Sequence, residues 1–359
     1  MNQILDPVKR LLINRQFTAM LIVIIMFALA VIYTGRILTP FFAAIVIAYL
    51  LEGMVARLTR LGRVRRFFMV NVVFLLFLLF LGGILLWAVP ELGRQAQQAA
   101  SNVPVYMNAG EELILRLPEK YPNVISKDQA ADMLGKINAE MSGLAKSALS
   151  GGVFKPLMWL LSFVIYLILV PVMVYFMLKD KDSIIAYLNK NLPLDNPLLR
   201  SVWEDVDTQI GNYIRGKVTE ILIIWFVCYV AFMLLGLDYA MLLSFMVGLS
   251  VLIPYIGATV VTLPVLIVGF VQWGLGGQFY ALATAYFIIQ ILDGNVLVPL
   301  IFSEAVSIHP VAIIVAILLF GGIWGFWGVF FAIPLATLVN AIINAWRDSI
   351  EELEAGLEE

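Results

Sequence analysis

The stretch Ile289-Gln290-Ile291-Leu292-Asp293-Gly294-Asn295-Val296-Leu297-Val298-Pro299 places a carboxylic acid in an otherwise uncharged, apolar run that extends from Phe279 to Phe302. A carboxylate at the centre of a membrane helix costs roughly 2.5–3.5 kcal/mol on insertion scales. Gln290 and Asn295 add polar amides to the same stretch. Gly294 weakens the helix, and Pro299 removes a backbone donor. A simple anchor requires none of these groups, so the stretch indicates a polar, irregular helix that lines a path through a membrane.

The composition of the whole chain supports a membrane location. The 359 residues are 62% hydrophobic and 13% charged, with a mean hydropathy of +0.95, whereas soluble domains average about 45–50% apolar and ~25% charged residues. The net charge of −2 argues against a nucleic-acid partner. The single cysteine, Cys228, lies in an apolar run and excludes a disulfide framework or a metal cluster. We therefore predict an all-α, polytopic membrane protein without a cofactor.

Apolar runs predict about eight transmembrane helices. They are Phe17–Tyr33, Ile37–Leu51, Phe67–Val89, Val153–Leu178, Val218–Leu235, Tyr239–Val271, Phe279–Phe302 and Val311–Ala345. The second run is short for a crossing of about 20 residues, so we expect it to be tilted, kinked or incompletely spanning. The first run follows three basic residues, and no small-residue cleavage site closes it. It is therefore interpreted as a retained span rather than a signal peptide.

Two of the runs are long and contain proline and glycine, which predicts broken or re-entrant segments. Tyr239–Val271 is interrupted by Pro254-Tyr255-Ile256-Gly257, a pattern that indicates either two half-helices or a kinked span. The last run has glycines interleaved with Trp and Phe, followed by Pro334. These glycines indicate either close helix packing or a flexible backbone. They are Gly321, Gly322, Gly325 and Gly328.

Two polar excursions interrupt the apolar pattern. In the first, Ser126-x-x-Gln129 predicts a capping box, and an apolar stripe follows with 3-4-3-4 spacing. This stripe packs within its own subunit, on the membrane surface or on a neighbouring subunit; its members are Leu134, Ile137, Met141, Leu144 and Ala148. In the second, Asn196 and Pro197 begin an amphipathic helix that reaches Arg215. That helix lies along the membrane interface or packs under the bundle.

The predicted organisation has six parts. They are three spans (residues 1–89), an extracytoplasmic helical segment (90–152), a fourth span (153–178), a cytoplasmic amphipathic segment (179–217), a four-span transport core (218–345) and an acidic cytoplasmic tail (346–359). With eight crossings, 15 of the 23 Lys and Arg residues fall on the side of both termini and 8 on the other. The termini are therefore predicted to be cytoplasmic. Arg215 and Lys217 are interpreted as cytoplasmic anchors, with Glu220 paired to one of them.

The residue inventory argues against an enzyme. There is no glycine-rich phosphate loop ending in Lys-Ser/Thr, and His309 is the only histidine, so a two-histidine zinc site is excluded. An intramembrane aspartyl protease requires two facing carboxylates, whereas the sequence offers no obvious second carboxylate within the membrane at the depth of Asp293. The Gly-x-Ser-x-Gly motif of a serine hydrolase is absent from the sequence.

Several motifs, taken in order, resemble a known family. They are Asn212-Tyr213-Ile214-Arg215-Gly216-Lys217, Ile253-Pro254-Tyr255-Ile256-Gly257, the Asp293–Pro299 stretch, His309-Pro310, and the segment from Gly321 to Pro334. Together they resemble the autoinducer-2 exporter (AI-2E) superfamily, most closely its PerM-like permease branch. The resemblance implies a bacterial inner-membrane protein with ATP-independent transport and homo-oligomeric assembly, a pentamer being the first expectation. Within the superfamily it implies either export of a small furanone signalling molecule or cation/proton antiport.

The candidate functional residues fall into two groups. A transport path or coupling role is assigned to Asp293, Gln290, Asn295, Glu304 and His309. Helix breaks or gating are assigned to Pro254, Gly257, Gly294, Pro299, Gly321, Gly322, Gly325, Gly328 and Pro334. Alternatively, Asp293 has a purely structural role and makes a hydrogen bond within a packed helix bundle. Glu304 and His309 lie near a membrane boundary, where polar residues are common. For the whole chain, the alternative to a permease is a non-transporting scaffold that binds envelope proteins through the two excursions.

Overall fold

The computed structural model describes residues 38–62, 65–120, 126–129, 131–136, 139, 154–191, 197–254, 256–302 and 309–340. Every regular element in these ranges is helical, which confirms the predicted all-α class. The chain divides into two compact units. Unit 1 comprises Met1–Leu78, Leu169–Glu220 and Leu297–Glu359, and unit 2 comprises Leu79–Ile168 and Ile221–Val296.

Several helices meet the length and composition of membrane spans. Among the described residues, five helices are long and apolar enough to cross a bilayer, and a sixth span results if one bent helix pair is counted. The protein is therefore a multi-pass membrane protein. The predicted first span, Phe17–Tyr33, lies outside the described residues, so the total of eight crossings stays a prediction.

The first described helices extend further than the apolar runs predicted. Helix α1 (Thr39–Gly62) has 24 residues, so the second run is not short. Glu52 interrupts the apolar run but does not end the helix, so the helix is long enough to cross a bilayer, and the expected tilt or kink stays a prediction. The Glu52 carboxylate accepts two hydrogen bonds from Arg66 at 2.8 Å and one from Lys181 at 3.1 Å, all within unit 1. A charge satisfied in this way can remain inside a continuing helix.

The predicted boundary at Pro90 is likewise absent. Helix α2 (Arg66–Gly83) passes through a π-helical turn at Ile84–Ala88 into α3 (Val89–Ser101). Pro90 is the second residue of α3, directly after the π-helical turn, and the helix continues through it although proline supplies no backbone N–H. Helix α4 (Val103–Lys120) follows. The predicted capping box is confirmed, since the backbone N–H of Gln129 donates to Ser126 Oγ at 3.2 Å and that of Ser126 to Gln129 Oε1 at 3.0 Å. The apolar stripe beyond Leu134 lies outside the described residues.

The middle of the chain contains one bent and one unusually long helix. Helix α5 (Phe154–Lys179) turns by 79° into α6 (Lys181–Asn191). Helix α7 (Pro197–Leu235) has 39 residues. It begins at Pro197, as predicted, while Asn196 lies outside the described residues. The predicted amphipathic helix and the predicted fifth span are thus one continuous helix, because Gly216 does not interrupt the hydrogen-bond ladder.

Both long apolar runs that contain glycine are divided into shorter helices. Tyr239–Val271 forms α8 (Ala240–Ser250) and α9 (Ile256–Trp273), which pack against each other. Val311–Ala345 does not form one long helix. It gives α12 (Pro310–Trp324) and α13 (Phe326–Asn340), separated at Gly325, whose φ is +60°. Between these pairs lie α10 (Gly277–Leu292), a π-helical turn at Asp293–Leu297 and α11 (Val298–Ile301).

Candidate functional site

One helix face, which continues from α10 into the π-helical turn after it, carries a row of polar side chains that are buried or half-buried. Tyr286, Gln290 and Asp293 are spaced by four and three residues, so they lie on the same side of the helix. Tyr286 is fully buried, and Asp293 is only 9% exposed. The Nε2 atom of Gln290 and the Oδ1 atom of Asp293 are both shielded from the surface. The predicted association of Gln290 with Asp293 is therefore present, and Tyr286 extends it by one turn.

The opposite face of the same segment is apolar and exposed. Ile291, Leu292 and Val296 have exposed fractions of 61%, 52% and 55%. In a membrane, such a face contacts lipid, while the polar face is turned toward neighbouring helices. Asp293 therefore does not face hydrocarbon.

The polar row has partners on two other helices of unit 2. The hydroxyl groups of Tyr286 and Thr262 on α9 are 3.0 Å apart, and Thr262 also donates to the carbonyl of Ala258 at 2.7 Å. On α7, Cys228 is fully buried and lies within electrostatic range of Asp293. Together these residues form a polar cluster among three helices that are otherwise apolar.

The backbone changes from α-helix to π-helix at Asp293. The π-helical turn spans Asp293–Leu297 and inserts an extra residue, which redirects the side chains that follow. Asn295 is exposed, and its amide donates to the carbonyl of Ile291 at 2.8 Å. The structure therefore does not bring Asn295 into the polar row. Gly294 and Pro299 are also exposed, and a Cβ on Gly294 would meet no other atom within 4 Å.

The break between α8 and α9 depends on close backbone contact. Pro254 lies in the connecting turn, and Gly257 is in the first turn of α9. A Cβ on Gly257 would collide with the carbonyl of Ser250 at the end of α8. The break is therefore a junction of two helices, as one of the two sequence interpretations proposed, and glycine is required there.

The glycines of the last run have different environments. A Cβ on Gly328 would collide with the carbonyl of Phe320, and one on Gly321 would lie 2.8 Å from Val329 Cγ2. Gly325 makes the turn with its positive φ, while Gly322 faces open space. Three of the four glycines therefore allow α12 and α13 to fold against each other, and Pro334 lies within α13.

His309 has a local structural contact. Its Nδ1 accepts a hydrogen bond from the backbone N–H of Val311 at 3.2 Å, so the side chain caps the N-terminus of α12. The residue is exposed. Glu304 lies outside the described residues.

The two predicted anchors on α7 differ from each other. Arg215 is exposed and donates to Asn212 at 2.9 Å. Lys217 is buried and forms a 2.6 Å ion pair with Glu220. The predicted pairing of Glu220 is thus confirmed, whereas the burial of Lys217 differs from the solvated position expected of an anchor. The reason is that Gly216 brings α7 into close contact with Ile301 and Phe302.

A polar cavity of about 530 Å³ lies in unit 2 between α3 and the turn that joins α7 to α8. Arg94, Gln98 and Asn102 line one wall, and Asp238 and Tyr239 line the other. The amide of Asn102 donates to the hydroxyl of Tyr239 at 2.6 Å. The turn is held by Gln272, which accepts from the N–H of Asp238 at 2.9 Å and donates to the carbonyl of Gly236 at 2.8 Å. Such a volume suits a small-molecule ligand.

Comparison with known proteins identifies the family. The model of the "AI-2E family transporter" matches residues 21–348 of the chain. The chain belongs to the AI-2E family. The family is described as one of transporters.

Individual relatives agree with this assignment. The chain is 40% identical over 332 residues to a protein of Escherichia coli (strain K12) that carries the permease name PerM, covering 92% of this chain and 93% of the relative. It is 26% identical over 319 residues to the Bacillus subtilis (strain 168) protein named as transport protein YrrI, covering 86% of each. A "Sodium-lithium/proton antiporter" of Halobacillus andaensis is 22% identical over 323 residues, covering 86% of this chain and 89% of the relative.

Sequence reasoning missed part of the polar cluster in this AI-2E chain. Tyr286 could have been found, because it precedes Gln290 and Asp293 at the spacing of one helix face. Thr262 and Cys228 could not, because their proximity depends on how α9 and α7 pack against α10. The cavity was missed for the same reason, since its walls come from residues far apart in the sequence.

Proposed function

We propose that this AI-2E member is an ATP-independent permease whose solute passes the polar face formed by Tyr286, Gln290 and Asp293. The observation that carries the proposal is the burial of Asp293 on the inner face of a helix whose outer face is apolar and exposed. An ionisable residue turned into a bundle of membrane helices is by default a candidate for a transport or proton pathway. The π-helical turn at the same residue supports this role, because such turns occur frequently at functional sites.

The transported species in this proposal is a small polar solute of the autoinducer-2 type or a monovalent cation exchanged for protons. The antiporter name of the Halobacillus relative supports the second class. The polar cavity lined by Arg94 and Asp238 would be the extracytoplasmic entrance, because Arg94 belongs to the 90–152 segment that the predicted topology places outside the cytoplasm. The proposed location is the bacterial inner membrane, with both termini cytoplasmic and a homo-oligomer, a pentamer being the first arrangement to test.

A flux measurement with a matched pair of variants tests the proposal. Purified protein in liposomes is assayed for uptake of sodium, lithium, potassium and small polar metabolites, with an internal pH indicator. Asp293→Asn removes the charge while nearly preserving the shape of the side chain. We expect Asp293→Asn to reduce flux by about tenfold or more, the kind of loss seen when a group that acts in the rate-limiting step is removed. Its elution profile in size-exclusion chromatography should not change.

Asp128→Asn is the matched control, because it makes the same chemical change at an exposed position. Its flux should equal that of the unmodified protein. If Asp293→Asn transports as well as Asp128→Asn, the polar face is not part of the path. If the unmodified protein transports none of these solutes and instead retains a stable envelope partner, the scaffold alternative replaces the permease.

A further inference from the structure

The walls of the polar cavity in unit 2 are held in place by hydrogen bonds between its elements. Besides the bond from Asn102 to Tyr239, the Oε1 of Gln95 accepts a bond from the backbone N–H of Leu242 at 3.0 Å. These two bonds join α3 to the turn before α8 and to the first turn of α8, while Gln272 joins the same turn to α9. The cavity therefore exists before a ligand enters it, and a ligand does not have to order its walls.

One residue of the cavity wall has a strained backbone. Tyr239, which precedes α8, has a φ of +56° and is the only residue other than glycine with a positive φ in the part of the chain that the structure describes. An aromatic residue rarely adopts this conformation, and residues held in it cluster at ligand sites. Hydrogen bonds with Asn102 and with Tyr106 on α4 hold the side chain of Tyr239. The surrounding structure thus keeps this ring at the cavity in spite of the strain.

Among the described residues, the charge left over at the cavity is that of one carboxylate. The guanidinium of Arg94 is already paired with Glu91, since its Nη2 lies 2.6 Å from Oε1 and its Nε 2.9 Å from Oε2. Asp238 also lines the cavity and is exposed, and none of the ion pairs between described residues includes its carboxylate. A cavity with a net negative charge attracts cations and repels anions.

The size and lining of the cavity favour an organic cation over a metal ion. Its volume of about 530 Å³ lies in the range of small-molecule sites. A metal ion requires several converging ligands, and within the described ranges no group of three or more His, Cys, Asp or Glu side chains could hold one. Tyr229 and Tyr239 bring aromatic rings, which attract ammonium groups. Ser101 and Gln98 bring groups that can form hydrogen bonds with a hydroxyl.

The position of α3 makes the cavity accessible to dissolved molecules. The continuous helix from Arg66 to Ser101 has 36 residues, whereas a crossing of the hydrocarbon takes about 20. Arg94, Gln98 and Ser101 lie near the far end of this helix, beyond the length that hydrocarbon covers. A solute can therefore reach them from water.

We propose that the cavity binds a small organic cation, an ammonium group on a short hydroxylated chain, and that Asp238 supplies the counter-charge. The inference rests on the proposed permease function, because it names the kind of monovalent cation that this permease takes up. The ammonium group lies between the Asp238 carboxylate and the rings of Tyr229 and Tyr239, and the hydroxyl group bonds to Ser101 or Gln98. An uncharged molecule of the same shape lacks the attraction to Asp238 and binds more weakly.

Choline and its uncharged carbon isostere, dimethylbutanol, test the proposal. The two probes have nearly the same shape, and only choline carries a positive charge. Binding of each probe to the purified full-length protein is measured by isothermal titration calorimetry in a maltoside detergent, which contains no ammonium group. Choline should bind about tenfold more tightly than dimethylbutanol, the factor expected for the attraction of one nearby carboxylate. Equal affinities for the two probes would overturn the inference.

Three variants test the role and the sign of the charge. Asp238→Asn should weaken choline binding about tenfold, while Asp128→Asn, at an exposed position that does not line the cavity, should bind choline as the unmodified protein does. Arg94→Gln leaves Glu91 unpaired and makes the cavity more negative, so it should bind choline at least as tightly. The inference fails if Asp238→Asn and Asp128→Asn bind choline equally. It also fails if Arg94→Gln, with an unchanged elution profile, loses choline binding.

Two further arms identify the source of the cation. Sodium should weaken choline binding only through ionic screening, so displacement of choline by an equal concentration of sodium would show an inorganic cation site instead. Choline should also bind equally in nanodiscs of phosphatidylglycerol and of phosphatidylethanolamine. Loss of binding only with phosphatidylethanolamine would assign the cavity to a lipid headgroup and would likewise overturn the inference.

Uptake into liposomes separates this inference from the proposed function. Uptake of radioactive choline that falls in both Asp238→Asn and Asp293→Asn would support both. Flux of other solutes that depends on Asp293, in a protein that does not bind choline, would overturn this inference alone. Choline binding that depends on Asp238, without flux of any solute, would overturn the proposed permease function and leave the binding site in place.

Discussion

At the scale of single residues, the direction of a side chain separates the polar residues near Asp293. Gln290 lies one turn before Asp293 and shares its buried face, whereas Asn295 lies two residues after it and returns its amide to the carbonyl of Ile291. The sequence places all three close together, but only the helical phase, modified by the π-helical turn, shows which of them meet. Gln290 therefore shares the face of Asp293 and Asn295 does not, while the transport role of each stays a prediction.

Gly257 provides a residue-scale prediction about stability. Gly257→Ala places a methyl group against the carbonyl of Ser250, so α8 and α9 must separate. We expect a loss of about 1–3 kcal/mol, the usual cost of overpacking, seen as a lower apparent unfolding temperature in detergent.

Gly82→Ala is the control for this prediction, because it lies inside α2 and a Cβ there meets no atom within 4 Å. It should be neutral or slightly stabilising, since alanine is favoured over glycine in a helix. Equal unfolding temperatures for the two variants would show that the close approach of α8 to α9 does not matter for the fold.

At the scale of the elements, the presence of a helix could be predicted more reliably than the residues at which it begins and ends. The capping box at Ser126 and the first position at Pro197 follow from local chemistry, and both are present. The continuation of α1 past Glu52 depends on Arg66 and Lys181, which are distant in the sequence. Gly325 ends α12 because a positive φ cannot continue a helix, whereas Gly216 lies inside α7 with ordinary helical geometry. Glycine alone therefore does not indicate a break.

The N-terminus of α12 gives a prediction at this scale. His309 caps the helix by accepting from the N–H of Val311, and asparagine can accept the same bond but carries no proton at neutral pH. His309→Asn should retain both stability and flux. His309→Ala should lower stability by about 1 kcal/mol, the typical value of an N-cap, as measured by thermal unfolding.

A different result for the asparagine variant would restore a transport role for His309. If His309→Asn unfolds at the same temperature as the unmodified protein but loses proton-coupled flux, its imidazole acts as a proton acceptor rather than as a helix cap.

At the scale of the whole molecule, composition and motif order were sufficient for the class and the family. Apolar content predicts a membrane protein, and the order of motifs from Asn212 to Pro334 predicts the AI-2E family, which the family match over residues 21–348 confirms. The polar cluster of α10 could be predicted only in part, because Thr262 and Cys228 join it through packing. The Lys217–Glu220 pair was predicted as a pair, but its burial depends on Gly216 and Phe302, which no local pattern reveals.

If solute passes the polar face of α10, water must reach that face from outside the bilayer. Cys228 is the only cysteine, so Cys228→Ser gives a cysteine-free background. In that background, Gln290→Cys and Leu292→Cys place one thiol on the inner face and one on the outer face, and each is exposed in membranes to a charged, water-soluble thiol reagent. We expect the reagent to modify Gln290→Cys, whereas lipid should protect Leu292→Cys. If Gln290→Cys stays unreactive in a folded, transporting protein, the solute does not pass this face of the helix.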